Sequence, residues 1–403
     1  MATRKIYFDH AASTPVDPAV LEAMKPYFTE RFGNPGSVHG FGQEAIAAID
    51  RSRETITKAI GAEFRQVVFA ASATEANNLA IHGALLAAYG GHHSHDGSPR
   101  KRVRLIVSAI EHESIRESAA LASRVGVDVV TLPVDKEGFI DEKILKESLT
   151  PETVLVSVQY ANNEIGTVQS IAKIAAIIRE FRERSGVKKE GVARYPLLHT
   201  DAAQALQFLG CDVKTLGVDL MTLSAHKAYG PKGAGALYLK DISLAEPLVQ
   251  GGGQEYGLRP GTENVPAIVG FAKAVELVME KRADEAARIS SLRDMLLRGI
   301  KAIAPDTEMN GPAASTGKLP NILNVHFPGR SAQDLLTRLD LAGLAASSGS
   351  ACRSRALEAS YVIKALGHPE ARAKESIRFS LGRSTEPAEI EDALQILKGA
   401  LKR

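Results

Sequence analysis

The feature that most constrains this chain is an alternation. From about Gln66 to Lys240, short runs rich in Val, Ile and Leu take turns with segments of helical periodicity. The strand candidates include Val67 to Phe69, Leu105 to Ser108, Val154 to Val158, Leu197 to His199 and Leu220 to Leu223. Runs this short and this continuously apolar suit strands buried on both faces, and parallel neighbours need a crossover helix between them. Between the third and fourth, Ile171, Ile174, Ile177, Ile178 and Phe181 share one helical face, with Ser170 as N-cap and Gly186 as the stop. The expected fold class is α/β: a mostly parallel sheet of the seven-stranded type flanked by helices, with a second, smaller α+β domain.

The pattern changes beyond Gly261. Ala267 to Leu297 is strongly helical, and the tail mixes short strands (Ile322 to Phe327, Ser376 to Leu381) with helices (Ala332 to Leu341, Leu357 to Leu366, Glu386 to Leu401). The predicted division is a large domain over 16–263 and a small one made of 1–15 plus 264–403. The polar stretches Gly90 to Arg100, with His92, His93 and His95, and Ser185 to Arg194 read as surface loops rather than metal sites.

Composition excludes several classes of function. The chain has 403 residues, 44% hydrophobic, enough for a large core, and Lys plus Arg exceeds Asp plus Glu only by 49 to 47. No global positive field argues for nucleic acid, and no apolar run is long enough for a membrane. The two cysteines, Cys211 and Cys352, lie far apart in unlike contexts, which points to a reducing compartment. Met1 to Lys5 lead straight into a strand-like Ile6-Tyr7-Phe8, so the expected location is cytoplasmic.

The chemistry sits at the strand ends. Asp201 follows one buried run and Lys227, in Ser224-Ala225-His226-Lys227, follows the next. A primary amine for a Schiff base and a carboxylate for a pyridine nitrogen are what pyridoxal 5′-phosphate requires. Ser72-Ala73-Thr74-Glu75 links a strand to a helix, where free backbone amides suit a phosphate, and Thr74 is the expected anchor; a plain N-cap is the competing reading. His112, in Glu111-His112-Glu113, follows a strand at the same sheet edge and is placed to lie over a flat ring. Asn163, in Asn162-Asn163-Glu164-Ile165-Gly166, supplies an amide there, unless the pair serves a turn. Open α/β sheets bind ligands where such strand ends converge.

Two further segments complete the set. Ser347-Ser348-Gly349-Ser350-Ala351-Cys352 places a cysteine on a loop of small residues, and Arg353 and Arg355 favour its thiolate, so Cys352 is a candidate nucleophile. Cys211 reads as structural. Arg378, on the amphipathic strand Ser376 to Leu381, either holds a substrate carboxylate or makes a structural salt bridge. The triple glycine Gly251-Gly252-Gly253 lacks the lysine and spacing of a P-loop.

With these segments, and with Tyr7-Phe8-Asp9 and Phe32-Gly33-Asn34-Pro35-Gly36-Ser37, the chain resembles the NifS-like (group I) cysteine desulfurases of the class V aminotransferase superfamily, which have the fold type I of pyridoxal phosphate enzymes. The resemblance runs from Tyr7 to the last helix. It implies that Lys227 carries the cofactor, that Asp201 pairs with its ring nitrogen and that His112 stacks on the ring. Gln204 and Asn163 would contact the phenolic oxygen, and Ala73, Thr74, Ser224 and His226 would surround the phosphate, with Thr262 reaching it from the second subunit of a homodimer. Asn34, Asn163 and Arg378 would orient the carboxylate of L-cysteine. Cys352 would take the sulfur as a persulfide, leaving L-alanine, and pass it to an acceptor such as an iron–sulfur scaffold or a tRNA-thiolation protein. Arg353 and Arg355, where the family commonly has small or hydroxyl residues, depart from the pattern. The two loop insertions and Arg259-Pro260-Gly261-Thr262-Glu263-Asn264 are also similar to selenocysteine lyases, which makes selenocysteine the alternative substrate.

Overall fold

The computed structural model describes residues 5–90, 102–185, 195–313, 316–349 and 359–402. Cys352, Arg353, Arg355, Gly186 and most of both polar loops lie outside the described residues. The strands, in chain order, are β1 (Ile6–Tyr7), β2 (Val67–Ala70), β3 (Arg104–Ser108), β4 (Asp128–Leu132), β5 (Thr153–Ser157), β6 (Leu197–Asp201), β7 (Leu220–Ser224), β8 (Gly235–Leu239), β9 (Glu308–Asn310), β10 (Ile322–His326), β11 (Leu344–Ala345) and β12 (Ser376–Ser380).

Seven of these form one sheet in the order β2-β8-β7-β6-β5-β3-β4. Only β8 runs antiparallel to its neighbours; the rest are parallel. The alternation in the sequence explains the layering. Val68, Leu105, Leu155, Leu197 and Leu237 join the core on one face. Their neighbours Phe69, Ile106, Val156, Leu198 and Ala236 join the core on the other. Successive side chains point to opposite faces, so a strand covered on both sides has no position left for a polar residue to reach water. This sheet is the mostly parallel seven-stranded one expected for the fold.

Its outer edge at β2 is closed by side chains rather than by another strand. Arg53, on the helix Gly40–Ile60, donates to the Val67 carbonyl at 2.5 Å, and Glu255 accepts from the Phe69 amide at 2.7 Å. The two side chains pair with each other at 2.7 and 2.9 Å and are both buried. Together they satisfy edge groups that would otherwise invite another chain.

The second sheet is antiparallel, β12-β10-β9. Helix Ala332–Leu341 packs on β12 and the long helix Val265–Ile303 on β10, and Pro387–Leu401 packs against both of these helices, while Val265–Ile303 also packs on Gly40–Ile60. The N-terminal segment ties the two parts together: β1 pairs in parallel with β11, and Phe8 to His10 run beside the end of β12 through bonds to Ser380. No described helix is long and apolar enough to cross a membrane.

Candidate active site

In the large sheet the chain runs from β5 through β6 to β7 on one side, while β3 leads to β4 on the other. Ligands of open α/β sheets bind beyond the carboxyl ends of the strands at such a reversal. A cleft lies there, lined by Ala73, Thr74, His112, Asn163, Asp201, Gln204, Ser224, His226, Lys227 and Arg378. These ten expected residues, nine from the ends of five strands and Arg378 from the middle of β12, are brought together by the fold.

Lys227 lies in a single turn after β7, and its Nζ donates to the carbonyls of Ala11 and Ala12, both at 2.7 Å. Gln204 Nε2 also donates to the Ala11 carbonyl, at 2.9 Å. The neighbouring strand ends in Asp201. Its Oδ2 accepts from Asn77 Nδ2 at 2.7 Å and its Oδ1 from the Ala203 amide at 2.9 Å, so both oxygens are oriented as acceptors. Asn77 is fully buried and also bonds Ser114 Oγ at 2.8 Å.

His112 caps the helix Glu113–Arg124, its Nδ1 accepting from the Ser114 amide at 3.2 Å. Burial pushes its pKa down, followed by the opposing influences of Asp201 and Lys227. Desolvation also lowers His226, to about 4, and His199, to about 4 beneath the site. These rings are therefore neutral at pH 7. His199 spans its neighbours, with Ser157 Oγ at 2.9 Å and Thr222 Oγ1 at 3.1 Å.

At one end of the cleft the donor set suits a phosphate. Ser72 Oγ caps the helix Ala73–Asn78 through the Glu75 amide at 3.1 Å, so the cap belongs to Ser72 and Thr74 is left exposed at the cleft. Ser224 Oγ is buried and has no hydrogen-bond partner among the described residues. Between them β8 starts at Gly235, where a Cβ would meet the Ser72 carbonyl carbon at 2.7 Å and the Ala73 nitrogen at 3.0 Å. The absence of a side chain there lets the helix start press onto the sheet. An orphan hydroxyl, a neutral His226 and a helix start facing one space fit a phosphate group.

Arg378 is the largest fully buried side chain among the described residues, 1% exposed. Its Nη1 donates to the Asn163 carbonyl at 2.9 Å and its Nη2 to Asp9 Oδ1 at 2.6 Å. It therefore both faces the cleft and makes the salt bridge that the sequence left as the alternative. Asn34 and Thr262 lie elsewhere: both are exposed and neither lines the cleft of this chain, and Asn34 Oδ1 accepts from the Gly36 amide at 2.9 Å. Cys211 is buried, and burial pushes its thiol up to about 12.

Several site residues escaped sequence reading. Ala11 and Ala12 act through backbone carbonyls, which carry no residue signal. Asn77 lies one helical turn beyond Thr74, so helical spacing offered a hint. Glu111 is fully buried beside His112, with Oε1 accepting from Ser108 Oγ at 2.5 Å and from the Gln159 amide at 2.8 Å. Its place inside a charged triplet resembled a solvated turn.

Comparison with known proteins adds to this geometry. The family described as Aminotransferase class-V matches residues 6–393. Cysteine desulfurase IscS of Clostridium botulinum is 40% identical over 400 residues, covering 99% of this chain and 95% of that protein. Among solved structures, a NifS-like protein superposes with a TM-score of 0.87 at 31% identity and 99% coverage of both chains. The structure titled "SspA in complex with cysteine" gives a TM-score of 0.78 at 34% identity, covering 93% of this chain and 98% of that one.

Proposed function

The chain belongs to the aminotransferase class-V family and, within it, to the IscS- and NifS-like cysteine desulfurases; on that premise we propose that it converts L-cysteine to L-alanine in the cleft at the strand ends, using pyridoxal 5′-phosphate and passing the sulfur to Cys352. The observation that carries the reading is Lys227 and Asp201 at the ends of adjacent strands in one cleft, beside His112 and an unpartnered Ser224 hydroxyl. When bound, pyridoxal phosphate supplies an electron sink for bond breaking at the substrate α-carbon.

The residues divide the remaining work. Lys227 would hold the cofactor, and its amine would move the α-proton of the substrate. Asp201, oriented by Asn77 and Ala203, would pair with the ring nitrogen. Neutral His112 would contact the ring and serve proton transfer at substrate. Ser224, His226, Thr74 and the Ala73 helix start would hold the phosphate, while Gln204 and Asn163 would contact the phenolic oxygen. Arg378 receives the substrate carboxylate. The Cys352 thiolate attacks the substrate sulfur, the carbon–sulfur bond breaks, and the products are L-alanine and a Cys352 persulfide. Ser347, which begins the segment leading to Cys352, exchanges backbone bonds with Arg378 at 2.6 and 3.1 Å. An iron–sulfur scaffold or a tRNA-thiolation protein then takes the sulfur.

The exposure of Asn34 and Thr262 supports a homodimer in which each reaches the other subunit's cleft. Phe28, Phe32, Val38 and Phe41, near Asn34 in sequence, and Val249 are exposed as well, with the Phe32 and Phe41 rings 5.7 Å apart, and such apolar side chains suit a second copy of the chain. The desulfurase relatives do not favour the selenocysteine lyase reading. Turnover of L-cysteine and L-selenocysteine by the cofactor-loaded protein tests the assignment. Alanine from L-cysteine is expected, and a loaded protein that yields alanine only from L-selenocysteine would overturn it.

A further inference from the structure

Arg378 does not meet the cleft as an unopposed cation. Asp9 Oδ1 stands 2.6 Å from its Nη2, and the Asn163 carbonyl takes Nη1 at 2.9 Å. Its Nε is buried with no hydrogen-bond partner among the described residues. The placing of Asp9 is built into the backbone. The Ser380 amide donates to Phe8 O at 2.8 Å, the His10 amide donates to Ser380 O at 3.1 Å, and Asp9 bridges Ser380 in parallel. The Ala11 amide is fixed in turn by Ser380 Oγ at 2.9 Å. This strip of chain therefore runs along β12 with Asp9 beside Arg378, while its next residues, Ala11 and Ala12, accept from Lys227. Asp9 itself is not part of the cleft lining.

We propose that Asp9 is the resident counter-charge of Arg378, a positioning residue that holds the guanidinium in place and moderates its grip on the substrate carboxylate. The proposal rests on Arg378 as the carboxylate site. Two groups of one sign then compete for one cation. Asp9 and Asn163 take one N–H on each terminal nitrogen, so the incoming carboxylate meets a guanidinium with three of its five N–H groups left and must share the charge with Asp9. The cost falls equally on substrate and product, since both carry the same carboxylate. Asp9 thus lowers affinity for L-cysteine and eases the departure of L-alanine, a trade that matters when product release limits turnover.

The test has a sign that a merely structural role does not share. Asp9→Asn keeps the oxygen that accepts from Nη2 but removes the charge. An ion this close shifts the balance of its partner by about 1–3 pK units, so the expected gain in carboxylate affinity is on the order of tenfold. Binding of L-alanine to the cofactor-loaded protein, followed by its visible spectrum, should tighten by that factor. Binding of cysteamine, which has the amine and thiol but no carboxylate, should not change. The KM for L-cysteine should fall without a matching rise in kcat. Asp9→Glu, which restores the charge, should return L-alanine binding toward the parent value. Weaker or unchanged L-alanine binding in a folded Asp9→Asn protein overturns the proposal, as does equal tightening of cysteamine or of the Asp9→Glu protein. Arg378→Met separates the two claims: undiminished L-alanine binding there refutes the carboxylate site itself, whereas lost binding there with no gain in Asp9→Asn refutes only the role of Asp9.

Discussion

Replacing Glu111 with glutamine is predicted to flatten the fall of stability with rising pH. The Glu111 carboxyl is fully buried where the segments after β3 and β5 meet, its Oε2 has no partner among the described residues, and desolvation raises its pKa from 4.5 to about 8, with bonds from Ser108 and Gln159 opposing. A folded pKa above the unfolded one means that the folded protein holds the extra proton between those values. The contribution is fully present below about pH 4.5 and is lost as pH rises through about 8. At 1.36 kcal/mol per pK unit, the loss between pH 5 and 7.5 comes to about 3 kcal/mol. For a chain of 403 residues, with an unfolding entropy of about 2.1 cal/mol/K per residue, that corresponds to about 4 °C in Tm. Glutamine keeps the acceptor toward Ser108 and Gln159 and cannot ionise. Thermal unfolding of parent and variant, followed by near-UV circular dichroism at pH 5, 6 and 7.5, should show the variant gaining about 4 °C on the parent across the range. A constant difference at all three pH values, or a variant that loses ground as pH rises, would refute the reasoning and indicate an ionised Glu111.

Other perturbations follow from the same geometry. Ser224→Ala removes a hydroxyl with no partner among the described residues, so apo-protein stability should hold within about 0.5 kcal/mol while the dissociation constant for pyridoxal phosphate rises on the order of tenfold; equilibrium dialysis showing no change would remove Ser224 from the phosphate cradle. Lys227→Ala should lose all turnover and the visible absorption of the covalently held cofactor, and retained turnover would reassign the amine. Arg53→Met leaves Glu255 buried without its partner and should cost about 3–5 kcal/mol, read as a lower denaturant midpoint; a loss below about 1 kcal/mol would show that the edge of β2 does not depend on the pair.

How much of this was legible in the sequence depended on how each residue acts. The buried strands were readable because covering both faces of a sheet forces a continuous apolar run, and β2, β3, β5, β6 and β7 fall where those runs are. Two strands of the large sheet passed unnamed for opposite reasons. Asp128–Leu132 is an edge strand with its first four residues partly or fully exposed, and Gly235–Leu239 opens on a glycine within a turn-like stretch. Residues acting through side-chain chemistry, such as Lys227 and Asp201, announced themselves by position. Those acting through backbone or through another residue did not: Ala11 and Ala12 present only carbonyls, and Asp9 acts on Arg378 across 369 positions of chain. Ser170 shows a smaller limit, standing at the N-cap of Ile171–Arg184 without making a side-chain cap bond.

The central claim is that sulfur leaves L-cysteine through Cys352 in a cleft organised by Lys227 and Asp201. The most direct measurement compares alanine formation from L-cysteine, in the presence of a thiol reductant, by the cofactor-loaded parent and by Cys352→Ala. Alanine from the parent and almost none from the variant is the predicted result. Equal alanine from both would take Cys352 out of the reaction and contradict the claim.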